Sequence, residues 1–145
     1  PAPGAGAAGG LGYGFLTFCG ASIQSGIDTM LDAMEFEKHL TGCSLVITGE
    51  GKIDGQSIYG KVPVGIGMRA KKRKLPVLAM VGDIGEGAHA VYEHGIASVM
   101  STVNRAMPLR EAIANGAQLL EAATDRAIRI CTMINKYREK AYSIG

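Results

Sequence analysis

The segment from Thr48 to Lys61 concentrates side chains that can do chemistry. It carries two carboxylates, Glu50 and Asp54, and two lysines, Lys52 and Lys61. Carboxylates can hold Mg²⁺ or accept a proton from an attacking hydroxyl, and lysine can bind phosphate oxygens. Ionisable groups set among glycines in a loop favour a functional site over a solvated, charged turn. We therefore expect this segment to bind a small anionic ligand and to act on it.

The end of this segment nearly matches a Walker A phosphate-binding loop. Residues 55–61 read GQSIYGK, but Val62 stands where that loop needs a serine or threonine to hold Mg²⁺. The match also follows its predicted strand only at a distance. A standard P-loop is therefore rejected, while the polar side chains of Gln56 and Ser57 remain candidate ligand contacts.

A second glycine-rich motif, GAGAAG, covers residues 4–9. A dinucleotide-binding fold needs a strand immediately before such a motif, and too few residues precede it in this sequence, so a Rossmann fingerprint is disfavoured. A glycine loop at a helix N-terminus can still bind an anion, because its free N–H groups point towards the ligand. Close backbone packing is the plainer interpretation of the same glycines.

Other polar features give weaker indications. The segment Gly82–Gly87 follows the second predicted strand, where Asp83 is either a ligand contact or part of a simple strand-to-helix turn. Five basic residues within 69–74 favour a solvated helix end over a nucleic-acid site, because no aromatic interleaving accompanies them. The histidines have no histidine or cysteine partner at metal-ligand spacing.

Hydrophobic patterns predict the elements that position these groups. Continuous apolar runs are typical of buried parallel strands, and three of them occur, at Leu45–Ile47, Val77–Val81 and Ala97–Met100. Helical patterns cover Leu11–Phe18, Thr29–Leu40, Val62–Lys74, Glu86–Glu93 with a cap at Gly95, and Pro108 to about Lys140 with a break at Asn115-Gly116. This alternation predicts an α/β fold, with a mostly parallel sheet and flanking helices. Ligands bind at the carboxyl ends of such strands.

Length and composition fit one globular domain. The chain has 145 residues, of which 47% are hydrophobic and 19% charged, enough apolar material for a packed core. Its net charge of +2 does not demand an anionic polymer as partner. Neither a membrane span nor a signal peptide is expected from the sequence. Cys19, Cys43 and Cys131 form no CxxC pair, and we interpret them as reduced core thiols of a cytoplasmic protein.

Taken together, the motifs resemble one enzyme family. The matching strings are PGAGAAGG at 3–10, LVITGEGKID at 45–54 with Gln56 and Ser57, GKVP at 60–63 and HGI at 94–96. They are similar to the C-terminal region of bacterial glycerate kinases of type I, whose two α/β domains lack a Walker A loop. The resemblance extends over nearly the whole chain. At Lys52 the family often has arginine, which carries the same charge on a planar fork.

This resemblance implies a place in a larger two-domain kinase. Residues 1–40 would be a glycine-rich segment and helix belonging to the ligand cleft. Residues 41–145 would be an α/β domain portion with three strands and C-terminal helices. The implied partners are glycerate, ATP and the missing N-terminal portion of the same protein, without nucleic acid or membrane, and a homo-oligomer is left open.

The resemblance also implies a reaction, the ATP- and Mg²⁺-dependent phosphorylation of glycerate to phosphoglycerate, commonly the 2-phosphate. Glu50 and Asp54 would be catalytic as metal ligands or as groups that orient the hydroxyl. Lys61 would neutralise phosphate or the substrate carboxylate. Backbone or side-chain contacts to the ligands would come from Gly4, Gly6, Gly9, Gly49, Gly51, Gln56 and Ser57. The alternative is a non-catalytic α/β domain that binds a small anion or a partner chain.

Overall fold

The computed structural model of the chain describes the backbone of residues 4–142. It describes the side chains of residues 4–6 and 8–137. The chain forms two compact units, and the boundary between them lies between Phe36 and Glu37. The first unit is helical, and the second contains the sheet. The predicted assignment of residues 1–40 to a ligand cleft stays a prediction.

The first unit contains helices α1 (Ala7–Cys19) and α2 (Gly26–Ala33). Non-helical backbone angles at the start of α1, including Gly9 at φ +67°, delay the regular helix until Leu11, as the sequence predicts. The prediction of a single helix over 29–40 is wrong. Glu35 has a positive φ of 50°, which ends α2 and separates it from the short helix α3 (Phe36–His39).

The second unit is built on three parallel strands, which confirms the predicted sheet. They are β1 (Val46–Ile53), β2 (Val77–Ile84) and β3 (Ser98–Ser101), in the order β1-β2-β3. The sequence predicts a loop after Ile47, and that prediction is wrong. Strand β1 continues to Ile53 because β2 continues beside it, with Lys52 opposite Asp83 and Ile53 opposite Ile84.

Helices cover both faces of this sheet. They are α4 (Val62–Lys72), a 3₁₀ helix (Ala88–His94), α5 (Leu109–Ala114) and α6 (Gly116–Tyr142). The predicted break at Asn115 and the predicted cap at Gly95 are confirmed, the latter with φ +91°. The prediction of an α-helix over 86–93 is wrong. The structure has a 3₁₀ helix in this region, and it starts only at Ala88.

The core explains why β2 has a continuous apolar run. Val77, Ala79 and Val81 pack towards α4 and the 3₁₀ helix, while Leu78 and Met80 pack towards α6. Both faces of the strand are buried, as expected for the centre of a parallel sheet.

Two further expectations concern cysteines and membranes. All three cysteines are free thiols, but Cys19 and Cys43 are exposed and Cys131 is half-buried, so the prediction of core thiols is wrong. Cys19 ends a helix and Cys43 lies in a turn, away from the apolar clusters. Within residues 4–142, none of the helices combines the length and apolar character needed to span a bilayer.

An ion pair joins α3 to α4 and gives a pH-dependent prediction. Arg69 Nη1 lies 2.8 Å from Glu37 Oε1, and this hydrogen bond lowers the pKa of Glu37. A carboxylate with a lowered folded-state pKa stabilises the fold above its unfolded pKa, and this stabilisation is lost as pH falls through the folded pKa. We expect Glu37→Gln to lower the urea midpoint slightly at neutral pH and the two midpoints to converge in acid. A difference that is the same at all pH values would contradict this role.

Candidate active site

The candidate site lies where β1 and β2 end. The two strands stay paired as far as Ile53 and Ile84, and the following loops continue the contact. The Gly85 N–H donates to the Ile53 carbonyl over 2.7 Å, and the Gly55 N–H donates to the Glu86 carbonyl over 2.9 Å. Backbone hydrogen bonds therefore fix the segment after β1 against the segment after β2, at the carboxyl edge of the sheet.

Asp54 is held in place by the turn that it begins. Its Oδ1 accepts a hydrogen bond from the Gln56 N–H at 3.1 Å, and the Ser57 hydroxyl lies 3.4 Å away as a second donor. The Ser57 Oγ also accepts from the Asp54 N–H at 3.0 Å. Ser57 is only 1% exposed. The hydroxyl of Ser57 is therefore engaged in orienting Asp54, and its predicted contact with a ligand stays a prediction.

Lys61 brings a positive charge to the same turn. Its Nζ donates to the carbonyl oxygen of Lys52 over 2.8 Å and lies 4.0 Å from Asp54 Oδ1. Lys61 ends the glycine-rich segment just before α4, so it ties the two ends of that segment together. The structure therefore places two of the predicted site residues, Lys61 and Asp54, next to each other.

Glu50 lies earlier on β1, opposite Val81 of β2. It is half-buried, and its Oε1 accepts a hydrogen bond from the Gly51 N–H at 3.2 Å. Asp54 contacts Gln56 and Ser57 of its own turn and faces Lys61. The two predicted catalytic carboxylates therefore stand in separate environments.

Glycines in the site allow close approach of the backbones. A Cβ at Gly49 would lie 3.4 Å from the Met80 carbonyl oxygen, whereas Gly51 has open space around it. Gly87, with φ +73°, approaches Gly55 so closely that a Cβ there would be 3.0 Å from the Gly55 Cα. The three glycines predicted near the N-terminus, Gly4, Gly6 and Gly9, belong to the first unit.

An open pocket of about 410 Å³ lies beside the Asp54 turn. It is lined by Lys52, Asp54, Gly55, Gln56, Glu86 and Gly87. The structure thus places Asp54, Gln56 and Lys52, all in the segment that the sequence singles out, at one pocket wall and adds Glu86. Glu86 was missed, although it lies in the Gly82–Gly87 segment that the sequence marks as a possible ligand contact.

The donor chemistry of the site is suited to Mg²⁺ shared with a substrate. In the described part of the chain, no cluster of three or more histidine, cysteine or acidic side chains could hold a metal ion. Mg²⁺ usually binds to one or two carboxylates together with substrate phosphates and water, rather than to a cage made only of protein groups. Asp54, at the pocket wall, fits that requirement by its chemistry, whereas Glu50 is not among the residues that line the pocket.

Parallel strands covered by helices, with a polar pocket at the strand ends, define an α/β protein with a ligand site at the edge of its sheet. The sequence model described as "Glycerate kinase family" matches residues 1–132. The chain therefore belongs to the glycerate kinase family.

Similar proteins are much longer than this chain. A glycerate kinase of Halalkalibacterium halodurans is 46% identical over 92% of this chain and 35% of its own length. A glycerate 2-kinase of Escherichia coli is 46% identical over 76% of this chain and 29% of its own length. A crystal structure of a "putative glycerate kinase 2" from Salmonella typhimurium LT2 shares 35% identity with a TM-score of 0.64, over 91% of this chain and 34% of that one. The chain thus spans about a third of these relatives.

Proposed function

We propose that this chain is the C-terminal portion of a type I, two-domain glycerate kinase that phosphorylates glycerate with ATP and Mg²⁺. The observation that carries the proposal is the 46% identity with the Halalkalibacterium halodurans glycerate kinase over 92% of the chain. The name of the Escherichia coli relative, glycerate 2-kinase, supports 2-phosphoglycerate as the product.

The same proposal assigns roles to the parts of the chain. Residues 1–40 contribute to the ligand cleft, and residues 41–145 form an α/β portion of one domain. The N-terminal portion of the same protein supplies the rest of the site, a view supported by relatives about three times as long. Free cysteines are typical of a reducing compartment, which supports a cytoplasmic location.

Phosphoryl transfer depends mainly on positioning and on stabilisation of charge. The glycerate hydroxyl oxygen forms a bond to the γ-phosphorus, the bond between that phosphorus and ADP breaks, and the hydroxyl proton must leave. Asp54 either accepts that proton or contributes an oxygen to Mg²⁺, and Glu50 serves as the second carboxylate. Mg²⁺, when bound, neutralises phosphate charge. The support for Asp54 is its fixed orientation at the pocket wall.

The surrounding groups hold the reacting carboxylate and the ligands. Ser57 and the Gln56 N–H orient the carboxylate of Asp54, and the Gln56 side chain at the pocket wall contacts ligand. Lys61, 4.0 Å from that carboxylate, balances negative charge from phosphate or from the substrate carboxylate. Gly49 and Gly51, like Gly4, Gly6 and Gly9 in the first unit, allow the backbone to approach a ligand closely.

A steady-state assay tests this function on the complete enzyme that carries the chain. ADP release is measured with ATP and Mg²⁺, with and without glycerate. We expect release to depend on glycerate and to saturate with it. Calorimetry that shows binding of ATP·Mg²⁺ and glycerate, combined with no glycerate-dependent ADP release, would contradict the proposal. That outcome would favour the non-catalytic binding domain.

A further inference from the structure

We propose that Lys52 contacts an anionic group of a substrate in the pocket and that Asp83 positions Lys52 for this contact. The inference rests on the proposed kinase function and adds two residues to its site. The anionic group is a phosphate of ATP or the carboxylate of glycerate, since both present oxygens that an ammonium group can bind.

The charge of the pocket requires a cation. Two carboxylates line it, Asp54 and Glu86, and both repel the anionic groups of the substrates. Among the six residues that line this pocket, Lys52 is the one with a positive charge. Its side chain is 51% exposed, so the ammonium group is accessible to a ligand.

Asp83 fixes the direction of the Lys52 side chain. The two residues lie opposite each other in the register of β1 and β2, and Lys52 Nζ lies 3.3 Å from Asp83 Oδ2. Asp83 itself is not among the residues that line the pocket. Exposed ion pairs contribute little to stability, so this pair serves to orient the Lys52 side chain.

Gly85 provides the space in which the Lys52 side chain lies. A Cβ at Gly85 would stand 2.7 Å from Lys52 Cε, 3.1 Å from Asp54 Cβ and 3.3 Å from Lys52 Nζ. The side chain of Lys52 therefore crosses the backbone at Gly85, and any larger residue there would displace the far end of that side chain. Three features, the strand register, the ion pair and the space at Gly85, together set the position of one ammonium group.

Lys61 has a different environment and serves as an internal comparison. Its Nζ is bonded to the backbone carbonyl of Lys52 and faces Asp54, and Lys61 is not among the lining residues of this pocket. Lys52 instead pairs with Asp83 on the neighbouring strand, and both side chains are exposed. Because an ammonium group has three N–H donors, Lys52 can donate to a ligand while it keeps its ion pair with Asp83.

The test compares Lys52→Met and Lys52→Arg with wild type in the complete enzyme, with Lys72→Met on the exposed side of α4 as control. We expect Lys52→Met to lower kcat/KM by about 10- to 100-fold, the usual value of a charge-assisted hydrogen bond. Lys52→Arg should recover most of this loss, and Lys72→Met should match wild type. A higher KM for ATP identifies the phosphate as the ligand, and a higher KM for glycerate identifies the carboxylate.

A separate set of variants tests the positioning role of Asp83. Asp83→Asn should raise the same KM as Lys52→Met, by a smaller factor, and should add nothing in the double variant. An active wild type with an unchanged Lys52→Met variant would overturn this inference alone. A wild type without glycerate-dependent turnover would overturn the proposed function and this inference with it.

Discussion

Asp54→Asn should reduce the rate of phosphoglycerate formation by about 10²- to 10⁴-fold in the complete enzyme, the range expected for loss of a general base. Asparagine has nearly the same shape, and its Oδ1 can still accept the hydrogen bond that the Gln56 N–H donates at 3.1 Å. The turn should therefore remain folded while the negative charge is lost. Because Lys61 lies 4.0 Å from this oxygen, the substitution also leaves one positive charge without its partner.

The dependence on Mg²⁺ separates the two roles of Asp54. If the carboxylate holds the metal, higher Mg²⁺ concentration should restore part of the rate. If the carboxylate accepts the hydroxyl proton, the rate should stay low at saturating Mg²⁺. The matched control is Asp125→Asn, which removes an exposed carboxylate on α6 and should leave the rate unchanged. A wild-type rate in Asp54→Asn would rule out both roles.

Gly95→Ala should destabilise the fold by roughly 2–5 kcal/mol, the sum of backbone strain and overpacking. Gly95 has φ +91°, and a Cβ there would clash with the Gly67 carbonyl oxygen. The neighbouring atoms belong to the backbone of α4 and cannot rotate away. In the reverse direction, a Cβ at Gly67 would meet the His94 carbonyl oxygen at 2.7 Å. The turn after the 3₁₀ helix therefore packs directly against α4.

Urea unfolding of wild type and Gly95→Ala measures this loss. Gly116→Ala is the matched control, because Gly116 begins α6 and a Cβ there meets nothing within 4 Å. Alanine is also favoured over glycine in helices, so the control should be neutral or slightly stabilised. Equal urea midpoints for the two variants would show that the close approach of Gly95 and Gly67 is relaxed in solution.

Much of the fold could be predicted where burial dictates residue type. The apolar run of β2 is continuous because Val77 and Leu78 face opposite covered sides of the sheet, and such a run is visible in the sequence. The extension of β1 through Gly51 could not be predicted, because glycine-rich segments are typical of loops. That extension depends on the long-range pairing of Lys52 with Asp83, which local sequence does not encode.

The sequence predicted which segment forms the candidate site, but not how its side chains are arranged. The density of charge and glycine directed the prediction to Asp54, which lies at the pocket wall beside Gln56. The burial of Ser57 follows from a turn that closes on Asp54, and residue type alone does not distinguish that role from contact with a ligand. Glu86 enters the pocket only because two loops are bonded across the sheet edge.

The central claim, that this chain is part of an enzyme that transfers a phosphoryl group to glycerate, is tested most directly by ³¹P NMR of the product. The complete enzyme is incubated with ATP, Mg²⁺ and glycerate, and the proton-coupled spectrum is recorded. We expect a phosphate-ester signal that grows as ADP appears and is split into a doublet, because carbon 2 carries one proton. A triplet would place the phosphate on carbon 3 and correct the product. ADP appearing with inorganic phosphate alone, or no ADP at all, would contradict the account.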